Sequence, residues 1–394
     1  MSTLKVDAIR HNSATSDAIT TASDGTCTAK LTSVGGGQLS HRNLIINGAM
    51  QVAQYGASST TNGYGSVDRY AVYSQGTDEA PTHAHVSVAS GTTPYELGFR
   101  TALKVTNGNQ TSGAGAGDLV AIDYSIEAKD LANSGWLSTS ASSFITLSFW
   151  IKSSVAQNFY VMLRSEDGTQ RAYVIETGSL SADTWTKVTK TIPGNTSPTV
   201  DIDNNNGRGM LIEFVAFRGT DGTGSVTLNQ WATYSSSARV PNMTSTWYTT
   251  NDATFEITGV QLEVGDTSTS FEHRSYGEEL NRCLRYYNKV YDVEGQSGEK
   301  PFLLGTYLSG SELATVVNFP KMRAVPSLDI SNGTNVFMIR RNGASDNFNT
   351  FSMRYGTTTT AELYVTSNVS GTAGQCGIIR GADTDVYIAF SAEL

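Results

Sequence analysis

The sequence predicts an all-β protein made of a β-sandwich, one connecting α-helix and a smaller β-domain. Short segments of alternating apolar and polar residues recur along most of the chain, and turns rich in glycine, asparagine and proline separate them. Charged residues make up 16% of the 394 residues, against about 25% in average soluble domains. Serine, threonine, asparagine and glycine take their place, which favours strands and turns. A chain of this length is expected to hold two or three domains.

Residues 1–40 differ from the rest because their apolar residues are small or isolated, too few for a core of their own. Leu4–Arg10 and Thr26–Val34 alternate like short strands, and Asp24-Gly25 between them is typical of a turn. Gly35–Gly37 would then act as a hinge. Strands this short need a partner surface, so we predict an attachment segment, with a flexible tail as the alternative.

The segment from His41 to Asn288 contains ten predicted strands, with room for one helical turn at Ala128–Asn133. The ten strands are Asp68–Tyr73, His83–Ser90, Arg100–Thr106, Leu119–Ile126, Phe144–Lys152, Phe159–Ser165, Arg171–Glu176, Thr186–Ile192, Met210–Arg218 and Phe255–Val264. In the last of these the alternation shifts by one residue at Gly259, which predicts a β-bulge. We therefore assign residues 41–274 to the sandwich.

The hydrophobic period lengthens after this strand, which predicts a connecting helix over residues 275–291. Ser275 and Glu278 have the spacing of a capping box, and Arg282 lies where the helix dipole favours a cation. The apolar stripe consists of Leu280, Cys283, Leu284 and Tyr287. Residues 292–394 follow as a smaller β-domain. Its predicted strands are LLGTYL, ATVVNF, SLDI, NVFMIRR, FNTFSMRY, AELYVT and DVYIAFSAEL.

Several of these segments, in this order, resemble a module of tail-fibre and minor structural proteins of tailed bacteriophages, including marine phages. They are NLIINGAMQVAQYG, SVDRYAVY, IEAKDLANSGW, ITLSFWIKSS, WTKVTKTIPG, FEITGVQLEVG and FEHRSYGEELNRCLRYY. The resemblance implies that the sandwich is a jelly roll like those of carbohydrate-binding modules. It also implies that residues 1–40 attach to other virion proteins and that residues 292–394 form the distal, receptor-facing end.

This resemblance implies a virion structural protein that is assembled in the host cytoplasm, forms a homotrimer and contacts a host-surface glycan or protein. A tail fibre or receptor-binding protein is the favoured interpretation. A capsid decoration or head-fibre protein is the first alternative, and a polysaccharide depolymerase is the second. The sequence contains no phosphate loop and no Gly-x-Ser-x-Gly elbow, and no pair of carboxylates stands out, so we expect a protein without enzymatic activity.

Four aromatic residues lie in a polar stretch where their rings could stack on sugars. These glycan-contact candidates are Trp231, Tyr234, Trp247 and Tyr248. Large aromatic residues of a sandwich also fill its core, and the sequence leaves both alternatives open.

The sequence offers weak metal signals, and we expect no bound metal or cofactor. His83 and His85 would lie on one side of a strand, which is the spacing of a metal pair and also of an ordinary polar strand face. The loops Asp201–Gly209 and Gly219–Gly224 carry oxygen ligands suited to calcium, but they lack the EF-hand pattern. Asparagine and aspartate in turns usually bond their own backbone.

The remaining bulk features exclude several kinds of protein. A net charge of −9 without a basic run argues against nucleic-acid binding. No apolar run approaches the roughly 20 residues of a membrane span, and Met1–Arg10 lacks the apolar core of a signal peptide. Cys27, Cys283 and Cys376 are widely spaced and odd in number, so we expect small buried thiols and no disulfide framework.

Overall fold

The computed structural model describes residues 6–10, 12–13, 18–23, 25, 27–29, 41–293 and 299–394. Near its start, three short strands form an antiparallel sheet in the order β1-β2-β3. They are β1 (Ala8–Ile9), β2 (Ile19–Thr21) and β3 (Cys27–Ala29). The predicted alternation in Leu4–Arg10 and Thr26–Val34 thus corresponds to strands in its described part, whereas the intervening β2 was not predicted. Asp24 and the Gly35–Gly37 hinge lie outside the described residues.

The sandwich consists of two antiparallel sheets. Its strands are β4 (Ser58–Ser59), β5 (Gly63–Tyr64), β6 (Tyr70–Gln75), β7 (Thr82–Ser87), β8 (Thr101–Thr106), β9 (Leu119–Glu127), β10 (Phe144–Ser153), β11 (Asn158–Ser165), β12 (Arg171–Ser179), β13 (Thr186–Pro193), β14 (Arg208–Arg218), β15 (Trp231–Thr233) and β16 (Thr254–Val264). Sheet A has the order β13-β10-β16-β8-β7-β4, and sheet B has the order β15-β12-β11-β14-β9-β6-β5. All ten predicted sandwich strands are present.

The two sheets bury a shared core of apolar side chains from alternate strand positions. Aromatic pairs connect them directly. Phe149 of sheet A meets Phe214 of sheet B edge to face with ring centroids 5.1 Å apart, and Phe255 meets Phe159 at the same separation. Each pair adds to the stability gained from buried apolar area. The prediction of an all-β protein with a jelly-roll-type sandwich is therefore confirmed.

Three short helices interrupt the sandwich strands, and a fourth follows them. They are α1 (Thr93–Glu96), α2 (Ala128–Ala132), α3 (Thr246–Thr249) and α4 (Tyr276–Cys283). The predicted turn at Ala128–Asn133 is α2. No helix within the described ranges has the length and hydrophobicity needed to span a membrane.

The connecting helix is shorter than the predicted 275–291. Its start is as predicted, because the side chain of Ser275 accepts a hydrogen bond from the backbone N–H of Glu278 at 3.3 Å. It ends at Cys283, and the chain continues as strand β17 (Tyr287–Asp292). The C-terminal half of the helix prediction is wrong, since the backbone there pairs with a strand far along the sequence.

The smaller β-domain contains a three-stranded and a seven-stranded sheet. Its further strands are β18 (Lys300–Ser309), β19 (Glu312–Asn318), β20 (Ser327–Ile330), β21 (Phe337–Arg341), β22 (Ala344–Phe348), β23 (Ser352–Arg354), β24 (Thr360–Val365), β25 (Cys376–Gly381) and β26 (Tyr387–Ser391). Sheet C has the order β17-β26-β20, and sheet D has the order β22-β21-β25-β18-β19-β24-β23. Strand β25 and the separation of β22 from β23 were not predicted. The two sheets enclose a second apolar core.

The smaller β-domain contacts the sandwich through buried polar groups. The guanidinium of Arg69 in the sandwich pairs with the Glu393 carboxylate, and both side chains are almost completely buried. Arg323 donates from Nη1 to the carbonyl oxygen of Asn206 at 2.5 Å, and from Nε and Nη2 to the carbonyl oxygens of Ala392 and Glu393 at 2.8 and 2.9 Å. These bonds hold Ala392 and Glu393 beside the sandwich, with Arg323 as the bridge.

Candidate functional site

The structure places three of the four predicted glycan-contact residues in the core. Trp247 and Tyr248 of α3 are fully buried, and Trp231 of β15 is nearly so. The Tyr248 ring stacks on Phe217 with centroids 4.4 Å apart, and Trp231 meets Tyr173 edge to face at 5.3 Å. These rings are therefore not available to stack on a glycan, because burying their apolar area stabilises the sandwich instead.

Tyr234, the fourth candidate, is half-buried and contacts two guanidinium groups. The guanidinium carbons of Arg164 and Arg239 lie 4.5 and 5.6 Å from its ring centroid. Cation–π contact of this kind holds the ring in place beside sheet B. The four residues do not form a common exposed surface.

The indole N–H groups separate the tryptophans into two kinds. Three buried tryptophans donate the indole N–H to a backbone carbonyl, as a buried donor must. These pairs are Trp136 with Ser143 (3.3 Å), Trp231 with Pro193 (2.7 Å) and Trp247 with Thr254 (3.0 Å). Trp150 and Trp185 are half-buried, and their indole N–H groups make no hydrogen bond within the described part of the chain. These two tryptophans can therefore offer an indole N–H donor to a ligand, while each ring packs in part against the buried cluster of Ala49, Val88, Phe99 and Ala102.

Strand alternation places Trp150 and Trp185 on the outer face of sheet A. Trp150 of β10 lies between Phe149 and Ile151, which are both fully buried in the sandwich core. Trp185 precedes β13 by one residue, and Val188 of that strand also points to the core. Because successive side chains of a strand point to opposite faces, both tryptophans point away from the core between the two sheets and pack on a smaller apolar cluster of the outer face.

The pairing of the two strands brings these tryptophans together. Trp150 stands opposite Lys187, and Ile151 stands opposite Thr186. Trp185 is therefore two residues along from the partner of Trp150, a diagonal position about 7–8 Å away in an antiparallel pair. We call the surface formed by Trp150, Trp185 and their lysine neighbours the tryptophan face.

The β-bulge in β16 shapes the floor beneath Trp150. The pairing of β10 with β16 slips between Ser148 and Trp150, as the sequence predicted, and Gly259 adopts a φ of +62°. A Cβ atom on Gly259 would come within 2.7 Å of Cζ of Phe99 and 3.1 Å of Cδ1 of Trp150. Only glycine combines this backbone conformation with the close approach of the Trp150 ring.

Cationic side chains border the tryptophan face. The ammonium of Lys152 lies 5.1 Å from the ring centroid of Trp185 and 3.0 Å from a carboxylate oxygen of Glu256. Lys104 stands opposite Glu256 on the next strand, and Lys187 stands opposite Trp150. Three ammonium groups thus accompany one carboxylate. This local excess of positive charge contrasts with the net charge of −9 of the whole chain.

Such a surface suits a sugar ligand. The C–H groups of a pyranose pack on aromatic rings, while ammonium and indole N–H groups donate to hydroxyl or carboxylate oxygens. Sequence reasoning missed these two tryptophans because it searched the polar stretch around residues 231–248. A usable signal was present in FWIKS and WTKVT, where each tryptophan is out of phase with the core-facing residues of its strand.

The predicted metal signals have structural explanations. His83 is buried, with Nδ1 2.8 Å from Oγ of Ser66 and Nε2 3.0 Å from the carbonyl oxygen of Thr61, so both nitrogens have protein partners. Burial lowers the pKa of this histidine. His85, the second residue of the predicted pair, does not complete a metal site with His83. Within the described ranges, no three His, Cys, Asp or Glu side chains converge on a metal position.

The two candidate calcium loops largely bond their own backbone. In the first, Asn205 Oδ1 accepts from the N–H of Gly207 at 2.7 Å, and Asp167 accepts from the N–H of Asp203 at 2.9 Å. In the second, the N–H of Gly222 donates to the carbonyl oxygen of Gly219 at 3.0 Å. Oxygen atoms of this kind stabilise turns.

The cysteines match their prediction only in part. Cys283 is a buried free thiol, as expected, whereas Cys376 is free and exposed on β25. The side chain of Cys27 lies outside the described residues. The prediction of a buried thiol at position 376 is wrong because its strand alternates so that Ile379 faces the core instead.

Comparisons with known proteins give distant structural similarity. No protein-family model matches the chain, and no curated protein matches it in sequence. The chain is similar in structure to the enzymatically active domain of tailspike protein 4 of bacteriophage CBA120, with 11% identity, a TM-score of 0.27, and coverage of 56% of this chain and 21% of the tailspike chain. The chain thus spans about a fifth of that tailspike's length.

Two solved structures of carbohydrate-binding modules are similar at the same level. The tandem CBM22 domains of Paenibacillus barcinonensis Xyn10C share 9% identity, with a TM-score of 0.28 and coverage of 92% of this chain and 100% of the tandem. The family 11 module from Clostridium thermocellum shares 15% identity, with a TM-score of 0.25 and coverage of 54% and 98%. Similarity this distant does not assign a ligand, and the class defined here is an all-β protein with a jelly-roll-type sandwich.

Proposed function

We propose that this chain is a glycan-binding protein and that the tryptophan face is its binding surface. The observation that supports this most directly is the pair Trp150 and Trp185, which are half-buried and whose indole N–H groups have no partner within the described residues. Lys152 lies 5.1 Å from the ring centroid of Trp185, and Lys187 and Lys104 occupy nearby strand positions, which favours glycans that carry a carboxylate. The proposed glycan-contact residues are therefore Trp150 and Trp185 on sheet A, in place of the predicted Trp231, Tyr234, Trp247 and Tyr248.

We further propose that the chain binds glycans without cleaving them. Glycoside hydrolysis needs two carboxyl groups about 5–9.5 Å apart across the sugar. The strand positions that form the tryptophan face supply Glu256, which is held in an ion pair with Lys152. Incubation with the bound polysaccharide should release no reducing ends, and their release would favour the depolymerase alternative.

The second part of this proposal concerns the role of the chain in a virion. We propose that the chain is a virion structural protein, a tail fibre or receptor-binding protein, that attaches through residues 1–40 and forms a homotrimer. Residues 1–40 resemble attachment segments, and the three described strands there pair with one another. Several weak glycan contacts on one particle would combine through avidity. Contact of the distal domain with the host remains a prediction.

The glycan proposal is tested with Trp150→Ala and Trp185→Ala in the full chain. Each variant should weaken binding to an array of neutral and uronate-containing bacterial polysaccharides by about tenfold or more, because a lost ring contact is worth about 1.4 kcal/mol or more. Calorimetric titration of the best array ligand measures the change.

Tyr73→Ala is the matched control because Tyr73 is an exposed aromatic residue on sheet B. Its affinity should equal that of the wild type. Equal affinity in all four proteins would contradict the assignment of the tryptophan face. Uronate-containing ligands should bind more tightly than neutral ones, and less so at high salt.

The attachment proposal is tested by deleting residues 1–39. The shortened protein should keep the melting curve of the wild type, because the sandwich core begins with the segment around Ile45 and Met50. It should be missing from purified particles. Its retention on particles at wild-type copy number, measured by quantitative mass spectrometry, would contradict attachment through this segment.

A further inference from the structure

The outer face of sheet D carries a row of exposed apolar side chains. Ile378 of β25 stands opposite Leu304 of β18. Strands β18 and β19 pair Thr306 with Ala314, so Leu304 in turn stands opposite Val316. Leu304 is 75% exposed, Val316 is 61% exposed and Ile378 is 39% exposed. We call Ile378, Leu304 and Val316 the apolar row.

The apolar row is additional to the core of its own domain. The residues that alternate with it, Leu313, Val317 and Ile379, point to the opposite side of sheet D and are buried there. Leu308 of β18 is also exposed beside the row. Strands β25, β18 and β19 therefore present aliphatic side chains to solvent at directly opposite positions. A contiguous apolar surface of this kind typically marks a contact with another molecule.

Opposite charges flank the apolar row. At one side, Arg340 of β21 stands opposite Ile378, is exposed, and makes no ion pair or hydrogen bond within the described residues. At the other side, Glu362 of β24 stands opposite Val316. Arg354 pairs with Glu362 at 2.5 Å and with Glu312 at 2.7 Å, which leaves this side with one net negative charge.

The line from Arg340 through the apolar row to Glu362 has a basic end and an acidic end. Two copies of this line can therefore pair with opposite charges facing each other. Arg340, the three aliphatic side chains and the acidic cluster of Glu362 and Glu312 follow one another over four strand spacings, about 19 Å. When a second copy faces the row with the order reversed, its apolar row meets the first. Arg340 of each copy then lies beside the acidic cluster of the other. In a closed ring, the basic side of one copy likewise meets the acidic side of the next.

We infer that the outer face of sheet D is the surface through which copies of this chain associate. The occupant of the apolar row is a second copy of the same chain, because the charge order lets the basic side of one copy meet the acidic side of another, in a two-fold pair or around a three-fold ring. This inference rests on the homo-oligomer of the proposed function and assigns that homo-oligomer a surface. It places the contact on the smaller β-domain and leaves the tryptophan face of the sandwich open to ligand.

The test is the molar mass of the full chain in solution, measured by sedimentation velocity across protein concentrations. The wild type should sediment as a multiple of the 42.1 kDa chain. Leu304→Lys and Val316→Lys should each raise the dissociation constant at least tenfold and give the monomer mass. Arg340→Glu should weaken association to a smaller extent, and high salt should reduce that difference.

Leu97→Lys and Leu137→Lys are matched controls. Both leucines are exposed, 52% and 59%, but lie outside sheet D. These variants should associate like the wild type. A wild type that is monomeric at tens of micromolar would overturn the inference. If Leu304→Lys and Val316→Lys associate as strongly as the wild type, the contact lies elsewhere and the inference is also overturned.

A second measurement uses the exposed thiol of Cys376, which lies two residues before Ile378 on the same face of β25. Association should slow its reaction with maleimide, and Leu304→Lys should restore the rate. An unchanged rate would contradict the assignment. Titration of Leu304→Lys with the glycan separates the glycan proposal from the association proposal. If the monomeric variant keeps the wild-type affinity per site, glycan binding by the tryptophan face stands, whatever the sedimentation result for sheet D.

Discussion

At the scale of single residues, tryptophan has two roles in this protein, and strand phase decides between them. Trp247 fills the core and donates its N–H to a backbone carbonyl, whereas Trp150 lies outward between two core residues of the same strand. The residue type alone does not distinguish these roles. The distinction depends on which neighbours point inward, because side chains of a strand alternate between its faces.

Asp68 shows how burial changes the chemistry of a single side chain. It is fully buried and accepts hydrogen bonds from the backbone N–H and the side-chain Nε2 of Gln54, at 2.6 and 2.5 Å. Burial raises the pKa of Asp68 from 3.8 to about 7, against the opposing effects of the Gln54 hydrogen bonds and of Arg69. The folded protein therefore holds a proton here that the unfolded chain releases near pH 4.

The raised pKa of Asp68 predicts a pH dependence of stability. A carboxyl group with a raised folded-state pKa stabilises the fold fully below its unfolded value, and this contribution is lost as the pH rises from about 4 to about 7. The slope in that window reaches about 1.4 kcal/mol per pH unit at most. Asp68→Asn should lack this component, so its free energy of unfolding should fall less steeply from pH 4 to 7.

Urea unfolding of both proteins at several pH values measures the difference. Asp266→Asn is a suitable control because Asp266 is exposed, so its curve should run parallel to that of the wild type. Parallel curves for the wild type and Asp68→Asn would contradict a raised pKa at Asp68.

At the scale of elements, the segment after α4 shows local periodicity overruled by pairing. The spacing of Leu280, Cys283, Leu284 and Tyr287 suits a helix, and the first two turns are helical. Tyr287 instead begins β17, pairs with Ser391 of β26, and stacks on Tyr55 with ring centroids 3.7 Å apart. Pairing with β26 and the stacked rings outweigh the modest helix propensity of this stretch.

Gly259 belongs to the same scale because it defines the bulge of β16. We predict that Gly259→Ala lowers the free energy of unfolding by about 2 kcal/mol, since its φ of +62° is strained for alanine. The added methyl would also displace Phe99 or Trp150. Thermal unfolding measures the loss, and a fall in glycan affinity would show that Trp150 is the ring that moves.

Gly277→Ala is the control for this prediction. Gly277 lies in α4 with nothing within 4 Å of an added Cβ. Alanine there should leave stability unchanged or raise it by up to about 1 kcal/mol, because glycine is unfavourable inside a helix. Equal effects of the two substitutions would mean that the bulge does not require glycine.

At the scale of the whole molecule, a buried ion pair joins the two cores. Arg69 also donates to the carbonyl oxygen of Ser125 at 2.7 Å, and its guanidinium lies 3.5 Å from the ring centroid of Tyr286. Glu393 accepts a hydrogen bond from the hydroxyl of Tyr55 at 3.4 Å. The two charges thus neutralise each other across the boundary, and we expect the two domains to unfold together.

Removing one member of this pair should be costly. Glu393→Ala leaves the Arg69 charge buried without its partner, so we predict a loss of about 3–5 kcal/mol in the free energy of unfolding. Glu278→Gln, which removes an exposed pair with Arg282, should cost no more than about 0.5 kcal/mol. Calorimetry measures both, and two separate transitions in the wild type would contradict joint unfolding.

The sequence by itself determined the all-β class, ten sandwich strands, the bulge at Gly259 and the Ser275 cap, because alternation, turn residues and capping act over a few neighbouring residues. Only the tertiary structure decided that Trp247 and Tyr248 are buried, that Trp150 and Trp185 share an outer face, and that the helix stops at Cys283. Those outcomes depend on which strands pair across hundreds of residues, and pairing selects the face, and therefore the solvent exposure, of every side chain.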